Sequence, residues 1–497
     1  MTQPNILLIV SDEERRNDWL EGHADLPSHE RLRRSGLSFE RHYTHSSPCS
    51  PSRASLFTGR YLSNHGVVDN VTFPAHQPLD PSIPTLGSLL RGVGYESAYL
   101  GKWHLEATAT PDLTAHGYSG WSGDDHHYMG GAGTGQMFDP IIADQAINWL
   151  DANATSLDQP WFLSVSLVNP HDIMWFPADQ PDHQAAHPED AKILRAIGDL
   201  WLGDLRPPLS DGNYAHRFDT LPPNFDDDLH TKPEIHRRWR HVRNTEHFVG
   251  SIDHSDTATW LRQLDYYAHL HERLDESLGR ILDTTDRLGI FDDTLIIYTS
   301  DHGDACGSHG LRAKLPCVYE DVMGVPLIVK EPNAEGGVRT QALSTHVDLA
   351  ATIAAVAGVD SSDRSGLDGT DLSGVIADPS TSARDHILLA QDSAQSPLLR
   401  STRYAVSGFF DGTDKYARYY GIGGGIQRDG AEADSAKLVG EDAPFDDQDH
   451  EWYQLGDDPH ELVNLAHDRS RRTALRELHE RLRGYEADAY GSAFARS

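Results

Sequence analysis

Short apolar runs alternate along the chain with longer segments in which apolar residues recur at helical spacing. The short runs predict buried strands, and the helical spacing predicts amphipathic helices. The predicted strands are Asn5–Val10, Ser97–Leu100, Trp161–Val168 and Thr294–Thr299, and the predicted helices are Asp139–Leu150 and Trp260–Asp283. This alternation predicts an α/β fold with a mixed, mostly parallel sheet between layers of helices.

Two stretches depart from this pattern. The segment from about 175 to 256 is rich in Pro, Asp, His and Trp and has weak periodicity. We interpret it as an irregular insertion or lid over the site, with a surface excursion of no function as the alternative. Later, short strands and Gly-rich turns appear, loosest at Gly421–Gly425, and a helix is predicted around Arg472–Asp488. We therefore predict a large α/β domain over residues 1–380 and a smaller C-terminal α+β domain over residues 381–497.

Composition excludes several classes of function. The 497 residues contain 42 Lys and Arg against 76 Asp and Glu, a net charge of −34, which argues against a nucleic-acid binder. The sequence has no apolar run of the 18 or so residues that a membrane span needs, and its first apolar run lacks the flanks of a secretory signal. Three cysteines cannot form a disulfide framework in a chain of this size. A reducing compartment, and hence a cytoplasmic location, is the expectation.

The most informative segment begins at Cys49 and reads Cys-Ser-Pro-Ser-Arg-Ala-Ser-Leu-Phe-Thr-Gly-Arg. Pro51 suits the first turn of a helix, and Gly59 suits its end. Cys49 is therefore predicted at a helix N-terminus, where unpaired amides favour an anionic nucleophile or a bound oxyanion. Arg53, one turn further on, points to the same face. A buried structural cysteine beside a turn is the alternative interpretation.

Acidic residues follow two of the predicted strands. Asp12 and Glu13 come after the first strand, and Asp301 and His302 come after Thr294–Thr299. Ligand sites in parallel sheets form at the carboxyl ends of the strands. Hard oxygen ligands suit Ca²⁺ or Mg²⁺, and an imidazole favours Mn²⁺ slightly. Each pair alone is also typical of a solvated strand end.

Three segments carry a resemblance to a known family. The Cys49 segment resembles the modification signature of type I, formylglycine-dependent sulfatases, which belong to the alkaline phosphatase superfamily. Gly94–His104 is similar to their Gly-Tyr-x-Ser/Thr…Gly-Lys-x-His motif, and Glu451–Ala466 to their C-terminal signature. The resemblance implies an alkaline-phosphatase-like fold and hydrolysis of a sulfate monoester to an alcohol and inorganic sulfate.

The resemblance also implies roles for individual residues. A formylglycine-generating enzyme would oxidise Cys49 to formylglycine, whose hydrate is the nucleophile, and His171 would protonate the leaving group. The implied catalytic residues are Cys49, Arg53, Lys102, His104, His171 and Lys314. The implied substrate-binding residues are Asn70, Lys102, His171, His309 and Lys314. The implied ligands of a divalent metal, Ca²⁺ first and Mn²⁺ or Mg²⁺ as alternatives, are Asp12, Glu13, Cys49, Asp301 and His302.

Two positions differ from the family pattern. Glu13 stands where the family often has Asp, and His302 stands where it often has Asn. The Asp-His pair has precedent among phosphonate monoester hydrolases, so a phosphonate monoester or phosphodiester hydrolase is the main alternative. Lys102 and His104, a pair that those relatives generally lack, favour sulfate. A non-catalytic binding protein with unmodified Cys49 is a third possibility.

The identity of the ester stays open at this level. No basic cluster suits a polyanionic glycan, so a small sulfate ester is favoured, whether aryl, choline or sugar. Four aromatic residues could face the substrate or could equally lie in the core: Trp103, Trp121, Trp175 and Phe176. Cys306 and Cys317 are interpreted as structural, and the sequence does not indicate an oligomeric state.

Overall fold

The computed structural model describes residues 3–71, 77–106, 112–121, 128–393, 395–399, 402–421 and 443–490. Its strands are β1 (Asn5–Asp12), β2 (Leu37–Phe39), β3 (His42–Tyr43), β4 (Glu96–Gly101), β5 (Trp161–Pro170), β6 (Thr294–Ser300), β7 (Leu327–Lys330), β8 (Val338–Thr340), β9 (Ser344–Thr345), β10 (Ile387–Gln391), β11 (Ala405–Phe410), β12 (Asp414–Tyr420) and β13 (Asp449–Gln454). Its α-helices are α1 (Pro27–Ser35), α2 (Cys49–Thr58), α3 (Leu62–His65), α4 (Leu86–Gly92), α5 (Thr134–Asn153), α6 (Pro181–Ala186), α7 (Pro188–Leu202), α8 (Glu234–Thr245), α9 (Thr257–Arg287), α10 (Glu320–Met323), α11 (His346–Val356), α12 (Ser373–Ala377) and α13 (Arg472–Tyr490).

The main sheet has seven strands in the order β4-β5-β1-β6-β7-β2-β8. The first four are parallel neighbours, whereas β7 runs antiparallel to both β6 and β2. Strand β1 lies inside the sheet, between β5 and β6, and is buried on both faces. Leu7 and Ile9 pack against α5 and α9, while Ile6, Leu8 and Val10 pack against α2, α4 and α11. A strand covered on both faces is apolar throughout, which explains why the strands were predictable as continuous apolar runs.

A four-stranded antiparallel sheet, in the order β10-β11-β12-β13, forms the C-terminal part. One face joins a core shared with the main body, through residues such as Ile387 and Leu389. The other face, represented by Leu388 and Phe409, packs against α13. The predicted fold class is therefore confirmed, with a mixed, mostly parallel sheet between helices and a smaller sheet-and-helix part. The division at residue 380 stays a prediction.

The predicted core strands and helices are all present, each of them one to five residues longer at one or both ends than predicted. The 175–256 segment is less irregular than predicted, because it contains α6, α7 and α8, and its role as a lid stays a prediction. In α8, Ile235, Trp239 and Val242 form a buried stripe, but the Arg and His residues between them weaken the periodicity. In the predicted Gly-rich loop, residues 422–425 lie outside the described residues. None of the described helices is both long and apolar enough to cross a membrane.

Candidate active site

The carboxyl ends of four parallel strands meet at one edge of the main sheet. In register, Asp12 lies opposite Pro170 of β5, and Ser11 lies opposite Ser300 of β6. Four predicted site residues are thereby brought to the same edge: Lys102 after β4, His171 after β5, Asp12 at the end of β1 and Asp301 after β6.

Helix α2 brings the predicted nucleophile to this edge. It begins at Cys49, as predicted, and every one of its ten residues is buried. Gly59 ends the helix in the left-handed region, with φ of 63°. A Cβ on Gly59 would also lie 2.8 Å from the Cβ of Ala350, so glycine meets both a conformational and a steric demand.

Arg53 links α2 to two strand ends. Its Nη2 donates to Oδ2 of Asp12 at 2.9 Å, and its Nε donates to Oδ2 of Asp301 at 2.9 Å. Its Nη1 donates to the Lys102 carbonyl at 2.8 Å and to Oγ of Ser166 at 2.7 Å. The guanidinium is fully buried, so a planar fork of donors holds two carboxylates that would otherwise repel each other.

Four buried side chains converge on one point beside α2. One ligand atom from each of Asp12, Cys49, Asp301 and His302 lies within 4.8 Å of the others. Nε2 of His302 is 3.2 Å from Sγ of Cys49, and Oδ1 of Asp12 is 3.8 Å from the same sulfur. Two carboxylates, an imidazole and a fourth group match the donor set expected for a divalent cation.

Glu13 has different neighbours from this quartet. Its Oε2 accepts from Nζ of Lys314 at 2.6 Å and lies 3.7 Å from Nε2 of His171. Its second oxygen, Oε1, is buried and lacks a hydrogen-bond partner among the described residues. Glu13, Asp12 and His171 form a second group whose ligand atoms lie within 4.8 Å of one another.

The remaining predicted residues lie at different depths around the site. The backbone carbonyl of His104 accepts from Oγ of Ser50 at 2.6 Å, which anchors the residue to α2. Asn70 accepts the Ser50 amide at 3.0 Å through Oδ1 and so supports the first turn of α2. Nδ1 of His309 is 2.7 Å from Oδ2 of Asp227. The carbonyl of His309 accepts from Nη1 of Arg240 at 3.4 Å, and its ring stacks on Tyr319 with the centroids 4.1 Å apart.

The site's motifs and fold match one family. A family model described as Sulfatase matches residues 4–359, well over half of the chain. The chain belongs to the sulfatase family. The predicted family, and with it the predicted class of sulfuric ester hydrolase, is confirmed.

Individual relatives agree with this sulfatase assignment. The multifunctional alkaline phosphatase superfamily protein PehA of Trinickia caryophylli is 29% identical over 403 residues, covering 71% of this chain and 73% of that protein. An N-acetylglucosamine-6-O-sulfatase of Bacteroides thetaiotaomicron is 27% identical over 409 residues, covering 72% and 68%. The phosphonate monoester hydrolase of Agrobacterium radiobacter has the same fold, with a TM-score of 0.67 at 20% identity, covering 98% of this chain and 96% of that one.

Burial and neighbouring charges shift the pKa values in the sulfatase site. Burial, with the Asp12 carboxylate, raises the pKa of the Cys49 thiol to about 11. Burial opposes ionisation of Asp12, but Lys102 and the other nearby cations outweigh it and hold the Asp12 pKa well below its usual range. Burial, helped by nearby lysines, lowers the pKa values of His104 and His171 well below that of free histidine. Both imidazoles are therefore neutral at pH 7 in this state.

Motif analysis missed several supporting residues. Ser52 Oγ donates to the Asp301 carbonyl and lies 3.1 Å from Nδ1 of His346. Ser166 accepts from Arg53 within β5. The sequence signal for Ser166 was weak, since Ser166 is one of two serines in the mostly apolar run Trp161–Val168.

The four aromatic residues left open by the sequence lie in the core. Trp103 packs against Phe57 in the main core. Trp175 packs against Trp201, and its indole donates to the Gly130 carbonyl at 3.1 Å. Trp121 and Phe176 are also buried in core clusters. Cys306 and Cys317 are buried and free, as a structural role requires.

Proposed function

We propose that this sulfatase hydrolyses a small sulfate monoester at residue 49. The observation that carries the proposal is the position of Cys49 at the start of α2, inside the quartet with Asp12, Asp301 and His302. Lys102 and Lys314 are both buried, and their ammonium groups lie 2.6 Å from carboxylate oxygens of Asp12 and Glu13, respectively. Two buried ammonium groups near a nucleophile suit the oxygens of a sulfate group.

An unmodified thiol is a poor candidate for this reaction. A thiol with a pKa of about 11 is almost entirely protonated at neutral pH, and the thiolate is the nucleophilic form. We therefore infer that a formylglycine-generating enzyme oxidises Cys49. In its hydrated aldehyde form, residue 49 would supply one hydroxyl to attack sulfur and a second hydroxyl to drive release of sulfate.

The quartet would hold a divalent cation, with Ca²⁺ favoured and Mn²⁺ or Mg²⁺ as alternatives. Four buried donors already lie within reach of one ion, and Arg53 offsets part of the charge of the two carboxylates. When bound, the cation would lower the pKa of a hydroxyl on residue 49 and draw charge from the sulfate oxygens.

The two histidines would divide the proton transfers. His104 is neutral because burial and the nearby cations lower its pKa, so it can accept a proton from the second hydroxyl. His171 lies near Lys314 and Lys102, whose charges also lower its pKa. A bound sulfate would offset both ammonium groups, so we infer that His171 gains its proton as the ester binds and gives it to the leaving oxygen.

The residues around the site limit which alcohol group of the ester the enzyme could recognise. The predicted aromatic candidates belong to the core, so recognition of an aryl or quaternary ammonium group would need other residues. The 175–256 segment would act as the lid, because Asp227 contacts His309 and Arg312 donates to carbonyls of Arg243 and Gly250. We propose that the enzyme is cytoplasmic, acts on a small ester and has no nucleic-acid or membrane partner.

Mass spectrometry across Cys49, run beside ester hydrolysis assays, tests this function. Protein made with a formylglycine-generating enzyme should contain an aldehyde at residue 49 and should hydrolyse 4-nitrophenyl sulfate. Cys49→Ala provides the control for background hydrolysis. An unmodified thiol in a competent host would contradict the formylglycine mechanism.

A phosphonate monoester or phosphodiester hydrolase is the second candidate. The Asp301-His302 pair and the likeness in fold to a phosphonate monoester hydrolase favour it. Lys102 and His104 favour sulfate. Comparing kcat/KM for 4-nitrophenyl sulfate and a matched phenylphosphonate ester decides between the two, since the higher value identifies the preferred group.

A further inference from the structure

The turn that follows β1 has an unusual backbone conformation. Glu13 has φ of 69°, in the left-handed region that side-chain-bearing residues rarely adopt. Its amide donates to Oδ1 of Asp301 at 3.0 Å, and the next amide, of Glu14, donates to Oγ of Ser300 at 2.9 Å. The turn is therefore tied to the end of β6 through its amides.

A single phenol secures the other side of this turn. The Tyr267 hydroxyl, from α9, donates to the Glu13 carbonyl at 2.5 Å and accepts the Arg15 amide at 3.3 Å. It therefore links Glu13 to Arg15, the two residues that flank Glu14. The Tyr267 ring is held in turn by Trp19, stacked at 5.1 Å, and by His271, edge-on at 4.5 Å.

This turn sets the direction of the Glu13 side chain. The carboxylate reaches Nζ of Lys314 at 2.6 Å and Nε2 of His171 at 3.7 Å. Lys314 and His171 are the two residues assigned above to the sulfate and to its leaving group. A rotation of the Glu13 backbone would move the carboxylate away from both at once.

We propose that Tyr267 is a positioning residue whose hydroxyl holds the Glu13 carboxylate between Lys314 and His171. Tyr267 does not touch the substrate in this scheme and acts only through Glu13. The inference rests on the proposed function for its kinetic consequence, but the placement of Glu13 can be tested without any activity.

Tyr267→Phe is the central variant, because it removes the hydroxyl and keeps the packed ring. Tyr266→Phe is the matched control: Tyr266 is the adjacent residue, also buried, and its hydroxyl donates to Oδ2 of Asp179 at 2.9 Å. Both variants should lose similar stability, measured by urea unfolding. Only Tyr267→Phe should lower kcat, by roughly 10- to 100-fold, because a misplacement of about 1 Å in an active site can cost 100-fold. KM should change little.

A double-mutant cycle tests whether the effect passes through Glu13. In a Glu13→Gln background, adding Tyr267→Phe should change kcat by less than about twofold, since residues that act as one unit are not additive. The proposal would be overturned if Tyr267→Phe lowered kcat equally in the wild-type and Glu13→Gln backgrounds, or if Tyr266→Phe lowered kcat as much as Tyr267→Phe.

A crystal structure of Tyr267→Phe decides the question even if the wild-type enzyme turns over no sulfate ester. Loss of the positive φ at Glu13, with separation of its carboxylate from Lys314, supports the positioning role. An unchanged turn refutes it. Absence of wild-type turnover on sulfate and phosphonate esters would contradict the proposed function alone.

Discussion

Arg53→Met removes a buried cation from between two buried carboxylates. The guanidinium donates to Asp12 and to Asp301 at 2.9 Å each, and all three side chains are fully buried. Methionine fills a similar volume but leaves the Asp301 side chain without its cation. Asp12 keeps one, because Nζ of Lys102 lies 2.6 Å from its Oδ2.

The expected loss of stability depends on which of the groups around Arg53 keep a hydrogen-bond or charge partner in the variant. Removing one partner of a buried ion pair costs roughly 3–5 kcal/mol. The Lys102 carbonyl keeps a donor, because the Tyr99 hydroxyl bonds it at 2.6 Å. Oδ1 of Asp301 also keeps its two amide donors. We therefore expect the lower end of that range, about 3 kcal/mol, in metal-free protein.

Urea unfolding with and without Ca²⁺ measures this effect. A divalent ion bound at the quartet would offset the uncompensated carboxylates, so Ca²⁺ should stabilise Arg53→Met by about 1 kcal/mol or more beyond its effect on wild type. Arg53→Lys keeps the charge but loses the fork of donors, so it should fall between wild type and Arg53→Met. Wild-type stability in the Met variant, or the same increment from Ca²⁺ in both proteins, would refute the charge-balancing role of Arg53.

Three further predictions address the leaving group, a buried ion pair and a helix end. His171→Gln should lower kcat for an alkyl sulfate by roughly 10²–10⁴-fold and for 4-nitrophenyl sulfate much less, because a good leaving group needs no acid; equal losses would exclude His171 as that acid. Although burial opposes it, the Glu14 carboxylate raises the pKa of His29 to about 9. The protonated His29 should therefore stabilise the fold by a few kcal/mol below pH 6.5, and this stabilisation should disappear as the pH rises through 9. Urea unfolding across this pH range should show the loss in wild type but not in His29→Gln. Gly59→Ala should destabilise the protein by more than about 1 kcal/mol, whereas Gly374→Ala, where a Cβ meets open space, should not.

The parts of the fold that the sequence predicts are those whose burial is uniform. Strands β1 and β6 are covered on both faces, so their apolar runs predict them directly, and the polar residues at their ends mark the edge of the sheet. Helix α8 was not predicted, because its three buried apolar residues lie among Arg and His residues that weaken the periodicity. Its role in the core depends on partners such as Leu315, which periodicity within one segment does not reveal.

Residues of the site could be predicted where the residue type itself indicates the chemistry. Cys49, Arg53 and the strand-end acids follow from spacing and from the family resemblance. Ser166 and Tyr267 did not, because a hydroxyl that supports a neighbour is identified only by the register that brings it there. Sequence also gave no means of separating aromatic residues of a pocket from those of the core.

The strand order has a consequence for synthesis on the ribosome. Strand β1 is made first, yet its partners β5 and β6 come more than 150 and 280 residues later. Until Asp301 emerges, Arg53 lacks one of its two carboxylate partners. At about 5–20 residues per second, the stretch from Cys49 to β6 takes roughly 12–50 s to translate. Because Cys49 is fully buried in the folded protein, an enzyme that oxidises it would need to act before the fold closes, and slower elongation would lengthen the time available for the proposed modification.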